Sequence, residues 1–107
     1  MIEIKKGTDN SYSFSLSTSN GATLLNSVAY SNEEEVNKTL EKLPALVQYH
    51  SVFERKTDHD GKFRFRLKDR KGIPIGHSEQ YSSEAGMENG IKNLKKRIAS
   101  LSQSKIL

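Results

Sequence analysis

The sequence predicts an α+β fold in which two tandem repeats of three strands, a helix and a strand form a single, mainly antiparallel sheet with two helices on one face. Two observations lead to this prediction. Residues recur at a constant offset of 51 positions, and each copy passes from alternating apolar residues to an apolar stripe with helical spacing. At 107 residues, the chain is the length of one domain. We therefore predict a single pseudo-symmetric domain over residues 1–107, with repeat one at 1–50 and repeat two at 51–107.

The offset of 51 aligns turn, strand and helix positions without a gap. Apolar strand residues, turn glycines and the residues that precede each helix all recur. The repeated structural positions are Phe14 with Phe65, Leu16 with Leu67, Gly21 with Gly72, Ser27 with Ser78, and Tyr30 with Tyr81. Because chance would not align these different kinds of element together, the offset predicts two copies of one structural unit.

Three strands are predicted at the start of each repeat. Apolar residues alternate with polar ones over residues 12–17 and 62–68, which is the pattern of a half-buried strand. Asn20-Gly21 predicts a tight hairpin turn of type I′, and Lys71-Gly72 marks the corresponding turn of the second copy. Pro74 cannot donate to a ladder, so we expect it at a strand start or in an edge strand.

A helix is predicted after the third strand of each repeat. Ser31 with Glu34 has the spacing of a capping box, and Ser82 is expected to cap the second helix. Apolar residues then recur with helical spacing. The first stripe is Val36, Leu40 and Leu43, and the second is Met87, Ile91, Leu94 and Ile98. Gly86 and Gly90 each cost a helix about 1 kcal/mol relative to Ala, which predicts a close approach of the second helix to the sheet.

The ends of both helices carry further predictions. Pro44 is expected to end the first helix, because a proline inside a helix removes a hydrogen bond. Residues 46–49 are then predicted to form a fourth strand that leads into the second copy. The tail, Ser104 to Leu107, is open to two interpretations, a short strand or a frayed end.

A known family carries a similar pattern. The run Asp60-Gly61-Lys62-Phe63-Arg64-Phe65-Arg66-Leu67, followed by Gly72, Ser78, Tyr81 and Gly90-Ile91, resembles the YegP-like family of small bacterial proteins, a domain of unknown function. The resemblance extends over nearly the whole chain in both copies. Copy one departs from it, with Asn10-Ser11 in place of the Gly-Lys pair and Thr39-Leu40 in place of Gly-Ile.

The resemblance implies that the two repeats share one sheet and exchange their last strands. Members of the family with one repeat resemble half of such a unit and pair as dimers. A tandem chain would satisfy that pairing internally, so the resemblance implies a monomer. It implies no activity, because none is established for the family.

Composition restricts the possible functions. The chain has no cysteine, which excludes disulfides, thiolate metal sites and cysteine nucleophiles. It contains no apolar run long enough to cross a membrane, and its first residues do not have the pattern of a signal peptide. We therefore expect a cytoplasmic protein without a membrane partner.

Residues 1–50 carry a net charge of −2 and residues 51–107 a net charge of +6, an asymmetry that can indicate an anionic partner.

A row of alternating cations is the sharpest functional pattern in the chain. Lys62, Arg64, Arg66 and Lys68 are predicted to lie on the outer face of one strand, where they could contact the phosphates of a nucleic acid weakly and without sequence preference. The alternative is a solvated face that prevents edge aggregation. Serines occupy the corresponding positions of copy one, namely Ser11, Ser13, Ser15 and Ser17.

The remaining polar candidates have structural alternatives. Tyr30 and Tyr81, with Ser27 and Ser78, could line a small-molecule site between the repeats, or their rings could close the core. His59 between Asp58 and Asp60 could bind a cation, although a turn with solvated polar residues is the preferred interpretation. No catalytic constellation or cofactor motif is present. We therefore expect a non-enzymatic binding or structural module, with weak nucleic-acid binding and a small-molecule site as alternatives.

Overall fold

The computed structural model describes residues 2–103 of the chain. Three strands come first, β1 (Ile2–Lys6), β2 (Tyr12–Ser17) and β3 (Thr23–Ser27), followed by helix α1 (Glu33–Leu46). After a short 3₁₀ turn at His50–Val52, the same order returns as β4 (Phe53–Thr57), β5 (Phe63–Lys68), β6 (Pro74–His77) and α2 (Glu84–Gln103).

The six strands form one sheet in the order β1-β2-β3-β6-β5-β4, and every neighbouring pair is antiparallel. The predicted α+β class with a mainly antiparallel sheet is therefore confirmed. β3 and β6 pair at the centre through Asn26 with His77 and Ser27 with Gly76. Pro74 is the first residue of β6, the position at which its missing N–H costs a central strand least.

The hydrophobic core lies between the sheet and the two helices. α1 packs on β2, α2 packs on β3 and β5, and the helices contact each other, so both lie on one face. Phe14, Leu16, Phe65 and Leu67 face this layer and are buried, as their alternation predicted. The opposite face of the sheet is left without a helix in the part of the chain that the structure describes.

The predicted fourth strand at residues 46–49 is wrong. α1 continues to Leu46, and Val47 still donates its N–H to the carbonyl of Leu43 as in a helix. The reason is that the apolar stripe continues with helical spacing as far as Val47, which is buried. Pro44 therefore lies inside the last turn of α1 and does not end it. The two interpretations of residues 104–107, a short strand or a frayed end, concern residues outside the described range.

The helix caps lie one residue later than predicted. The side chain of Asn32 accepts the N–H of Glu35 at 2.9 Å, and that of Ser83 accepts the N–H of Gly86 at 2.9 Å. An N-cap oxygen must reach the N–H three residues ahead, and these two residues have that spacing. Ser31 instead donates to the carboxylate of Glu35. The two capping positions are themselves 51 residues apart.

The hairpin turns also differ from the predicted type I′. Gly21 donates to the carbonyl of Thr18 at 3.0 Å, and Gly72 donates to Asp69 at 3.0 Å. In each loop only the last residue has a positive φ, 92° at Gly21 and 89° at Gly72. A type I′ turn needs two consecutive residues with positive φ. Each loop is a three-residue hairpin with a glycine bulge, and the strand registers shift beside both loops.

Candidate anion-binding face

The cations of β5 lie on the face of the sheet that the helices leave uncovered. Phe65 and Leu67 are fully buried on the inner face, whereas the side chains of Arg64, Arg66 and Lys68 are 43 %, 36 % and 29 % exposed. The predicted separation of the strand into an apolar and a basic side is therefore present. Lys62 is exposed just before the strand begins.

Neighbouring strands add two residues that the sequence did not identify. Residues directly opposite each other in an antiparallel pair project on the same face. Lys56 of β4 lies opposite Arg64, and His77 of β6 lies opposite Arg66. Strand pairing alone brings them together with the cations of β5. We refer to Lys56, Arg64, Arg66, Lys68 and His77 as the basic face.

Two carboxylates neutralise part of the basic face. Glu54 lies 3.4 Å from Arg66, 3.5 Å from Lys56 and 3.6 Å from Lys68, while Asp58 lies 3.1 Å from Arg64. Desolvation raises the pKa of Glu54, but the charges of Arg66, Lys56 and Lys68 together outweigh it and hold that pKa below its ordinary value. Four permanent cations thus share two carboxylates, and the surface keeps a positive charge.

A shallow depression of about 300 Å³ lies on the same face. Lys56, Arg64, Arg66 and His77 supply its polar lining, and Val28 and Pro74 are among its apolar residues. The cations therefore border a concave surface that a ligand could enter.

The first half of the chain has no counterpart of the two arginines, although Lys5 occupies the position of Lys56. Ser15 lies opposite Asn26 on the same uncovered face, and Ser13 lies opposite Lys5. Ser15 and Ser13 occupy the positions of Arg66 and Arg64 at the 51-residue offset. The basic face is accordingly confined to the second half of the sheet.

Ser27 and Ser78 satisfy backbone groups of the core strands. The hydroxyl of Ser27 accepts the N–H of Phe14 at 2.8 Å and donates to the carbonyl of Val28 at 2.8 Å. The hydroxyl of Ser78 does the same for Phe65 at 3.0 Å and for Glu79 at 2.7 Å. Ser78 is 2 % exposed, whereas Ser27 is only partly buried. This geometry favours a structural role for both serines.

Ser78→Ala is expected to lower the free energy of unfolding by about 1–3 kcal/mol, because the buried N–H of Phe65 loses its acceptor. Ser27→Ala is the matched control and should cost less, because the hydrogen bond from Phe14 to Ser27 is only partly buried. Urea denaturation of the two variants measures both values. Equal losses in the two variants would contradict the dependence on burial.

Tyr30 and Tyr81 connect each helix to the strand below it. Their backbones form bridges to Tyr12 and Phe63, the first residues of β2 and β5. The ring of Tyr81 lies so close to Gly90 that a Cβ there would overlap its hydroxyl. Burial raises the pKa of both phenols, and the Thr39 hydroxyl opposes that rise at Tyr30. These contacts favour the packing interpretation over a small-molecule site.

Thr39 occupies the position of Gly90 in the first half of the chain. The two halves thus differ at this site, with a threonine hydroxyl near the tyrosine in the first and a close helix approach in the second. The predicted close approach of α2 is found here, against the tyrosine that follows β6.

The three histidines lie in separate places. His50 begins the 3₁₀ turn, His59 lies in the loop between β4 and β5, and His77 lies on the basic face. Beside His59, the carboxylate of Asp58 already binds Gln80 at 2.7 Å and Arg64. Within residues 2–103, no group of three or more His, Asp or Glu residues is arranged to hold a metal ion.

The comparison with known proteins identifies the family. UPF0339 protein YegP of Escherichia coli K12 is 32 % identical over 94 residues, which span 88 % of this chain and 86 % of YegP. The chain belongs to the YegP-like UPF0339 family. UPF0339 protein PA0329 of Pseudomonas aeruginosa is also 32 % identical, over 89 % of this chain and 86 % of that protein. The resemblance drawn from the residues is thereby confirmed.

A family profile and two solved structures support the same family membership. A profile of a domain of unknown function, DUF1508, matches residues 58–101, which include β5, β6 and most of α2. The solution NMR structure of yegP from E. coli, described as a protein of unknown function, superposes with a TM-score of 0.83 at 31 % identity, covering 91 % of this chain and 84 % of that one. UPF0339 protein SO3888 of Shewanella oneidensis gives a TM-score of 0.84 at 26 % identity, over 91 % of this chain and 82 % of that one. These YegP-like relatives are uncharacterised, so the fold is shared and the comparisons indicate no specific function.

In the described part of this YegP-like chain, no helix combines the length and apolar character that a membrane span requires.

Proposed function

We propose that this protein is a non-enzymatic binding module that holds the phosphate backbone of a nucleic acid on its basic face. The observation that carries the proposal is the position of three permanent cations and His77 around one depression on the uncovered side of the sheet, with Lys68 further along the same strand. Helices occupy the other side, so the basic face is the broad open surface of the second half.

The spacing of the cations suits a repeating anion. Alternate residues of a strand are about 6.5–7 Å apart, so Arg64, Arg66 and Lys68 present charges at regular intervals along β5. Lys56 widens the row onto the neighbouring strand. Lys and Arg contacts to phosphate provide most of the sequence-independent affinity for nucleic acids.

The same face lacks the aromatic residues that read bases. Phe53, Phe63 and Phe65 share the inner side of the sheet, because Phe53 pairs with the buried Leu67 and the other two alternate with the arginines. Sequence-specific recognition of single strands stacks bases on exposed aromatic rings. The proposed binding is therefore weak and independent of sequence.

Two further features belong to this proposal. The chain is taken as two structural repeats, which is supported by the equivalent caps, serine hydrogen bonds and tyrosine bridges at positions 51 apart. Because only the second repeat carries Arg64, Arg66 and Lys68, the anion site is a specialisation of one copy. A cytoplasmic location is proposed with it, supported by the absence of cysteine.

A salt titration tests the proposed function. Fluorescence anisotropy with short labelled RNA and DNA strands and duplexes should show binding at low salt that weakens steeply as salt is added. Arg64→Ser with Arg66→Ser, which copies the first half, should lower affinity about tenfold and reduce the salt slope by about 1 for each arginine removed.

The control removes the same charge from another surface. Lys38 and Lys42 lie on α1, so Lys38→Ser with Lys42→Ser lowers the net charge equally and leaves the basic face intact. This control should bind as the wild type does. No binding at low salt, or the same loss in both double variants, would refute a nucleic-acid site on this face.

A further inference from the structure

The two edge strands, β4 and β1, differ in the side chains that cover them. At the β4 edge, Arg55 binds Glu88 of α2, with Nη2 3.0 Å from Oε1, and the Nζ of Lys95 lies 5.2 Å from the ring centre of Phe53. Charged groups thus cover the apolar rim of this edge, a device that prevents strand addition. Ile4 occupies the position of Arg55 on β1 and is 38 % exposed.

β1 also presents unpaired backbone groups, since it pairs only with β2 among the described strands. Tyr12 exchanges backbone hydrogen bonds with Tyr30, at 2.8 and 2.7 Å, so its N–H and C=O point away from β1. Lys6 lies opposite Tyr12 and Ile4 lies opposite Phe14. In an antiparallel ladder, the backbone groups of two facing residues either bond to each other or both point away from the partner strand. Ile2, Ile4 and Lys6 therefore direct their N–H and C=O groups away from β2, toward the open edge.

We propose that β1 is a self-association edge, where β1 of a second copy of this chain adds antiparallel across a two-fold axis at Ile4. In this register Ile4 faces Ile4 of the second copy, and Ile2 faces Lys6 of the second copy. Each of these facing residues has outward backbone groups, so each pair exchanges two hydrogen bonds. The two sheets become one continuous sheet with a symmetric interface.

Charge complementarity selects this register. With the axis at Ile4, Glu3 lies directly opposite Lys5 of the second copy, and Lys5 lies opposite its Glu3. Both side chains project on the uncovered face, at 57 % and 66 % exposure, where opposite charges across a strand pair are favourable. An axis at Glu3 would place two glutamates in contact, and an axis at Lys5 would place two lysines in contact.

The helices leave room for this pairing. α1 packs on β2, and in the continuous sheet β2 and its symmetry mate are three strand spacings apart, about 14 Å. Two helices about 10 Å across fit side by side at that distance. The β4 edge is unsuited to the same arrangement, because Arg55 would face Arg55 of the second copy.

Sedimentation equilibrium over a range of protein concentrations tests the proposal. An interface formed by one pair of short edge strands is small, so we expect a weak dimer. The fraction of dimer should rise with protein concentration. Glu3→Lys or Lys5→Glu alone places like charges opposite each other at two symmetric positions and should weaken the dimer on the order of tenfold. The double variant Glu3→Lys with Lys5→Glu should restore the wild-type dissociation constant.

Two further variants test whether dimerisation depends on the β1 edge itself or on a change of charge anywhere on the sheet. Lys56→Glu changes the equivalent lysine on β4 and should leave dimerisation unchanged, whereas Ile4→Arg should abolish it by copying Arg55. Circular dichroism of each variant establishes that the fold is retained. A wild-type mass that stays monomeric at every concentration, or a charge-swapped double variant that does not recover, overturns the proposal.

Discussion

Phe65→Ala is expected to lower the free energy of unfolding by about 3–5 kcal/mol, as measured by urea denaturation. Phe65 is fully buried at the centre of β5 and packs edge to face on Phe53, with ring centroids 5.9 Å apart at 66°. Removing the ring loses its transfer free energy and leaves a cavity between the sheet and α2, which can collapse only in part. Since a domain of this kind has about 5–15 kcal/mol of stability, the variant loses a large share of it.

Phe63→Ala is the matched comparison on the same strand. Phe63 shares the inner face but is only half-buried, so its truncation should cost clearly less than that of Phe65. If Phe65→Ala is too unstable to purify, Phe65→Leu tests the same site at a cost of about 1–1.5 kcal/mol. A loss below about 1 kcal/mol for Phe65→Ala would show that this residue is not at the centre of the core.

Gly76→Ala is expected to cost about 1–3 kcal/mol by forcing β3 and β6 apart. A Cβ on Gly76 would lie 2.5 Å from the carbonyl oxygen of Asn26 and 3.0 Å from the Cα of Ser27. Both are backbone atoms of the strand that joins the two halves of the sheet, so they cannot move aside as a side chain would. Urea denaturation gives the stability loss, and amide hydrogen exchange should show faster opening of β3 and β6.

Gly86→Ala serves as the control for this effect. A Cβ on Gly86 would meet the hydroxyl of Ser83 at 3.1 Å, so the capping hydroxyl must shift by a few tenths of an ångström. The helical preference for Ala over Gly, about 1 kcal/mol, offsets the cost of that shift. We therefore expect no loss of stability from this substitution. If Gly76→Ala proves as harmless as Gly86→Ala, the close strand approach is not what requires glycine at position 76.

Strands and helices could be predicted from the sequence wherever the apolar residues kept one spacing, either that of a strand or that of a helix. β2 and β5 alternate over their whole length, and the stripe of α2 continues from Met87 through Ile98 with helical spacing, so their identity could be predicted. The end of α1 could not, because two local signals disagreed. Pro44 indicated a stop, whereas burial of Val47 against the core outweighed the hydrogen bond that proline removes.

The candidate anion site was predictable only along one strand. Arg64, Arg66 and Lys68 are neighbours in the chain, so their shared side follows from the two-residue period. Lys56 and His77 join them through strand register, and Glu54 and Asp58 neutralise them through contacts between strands and loops. No local pattern encodes such contacts, because they depend on which strands pair and in what register.

The sequence by itself determined the class of this protein, the inward side of each core strand and the uneven distribution of charge between its halves, because periodicity and composition are properties of the chain. The tertiary structure alone decided that β3 meets β6 at the centre, which leaves β1 and β4 as the edges among the six described strands and brings the cations of two strands around one depression. The physical reason is that burial and charge pairing act between residues far apart in sequence, and the pairing of the strands sets which of them meet.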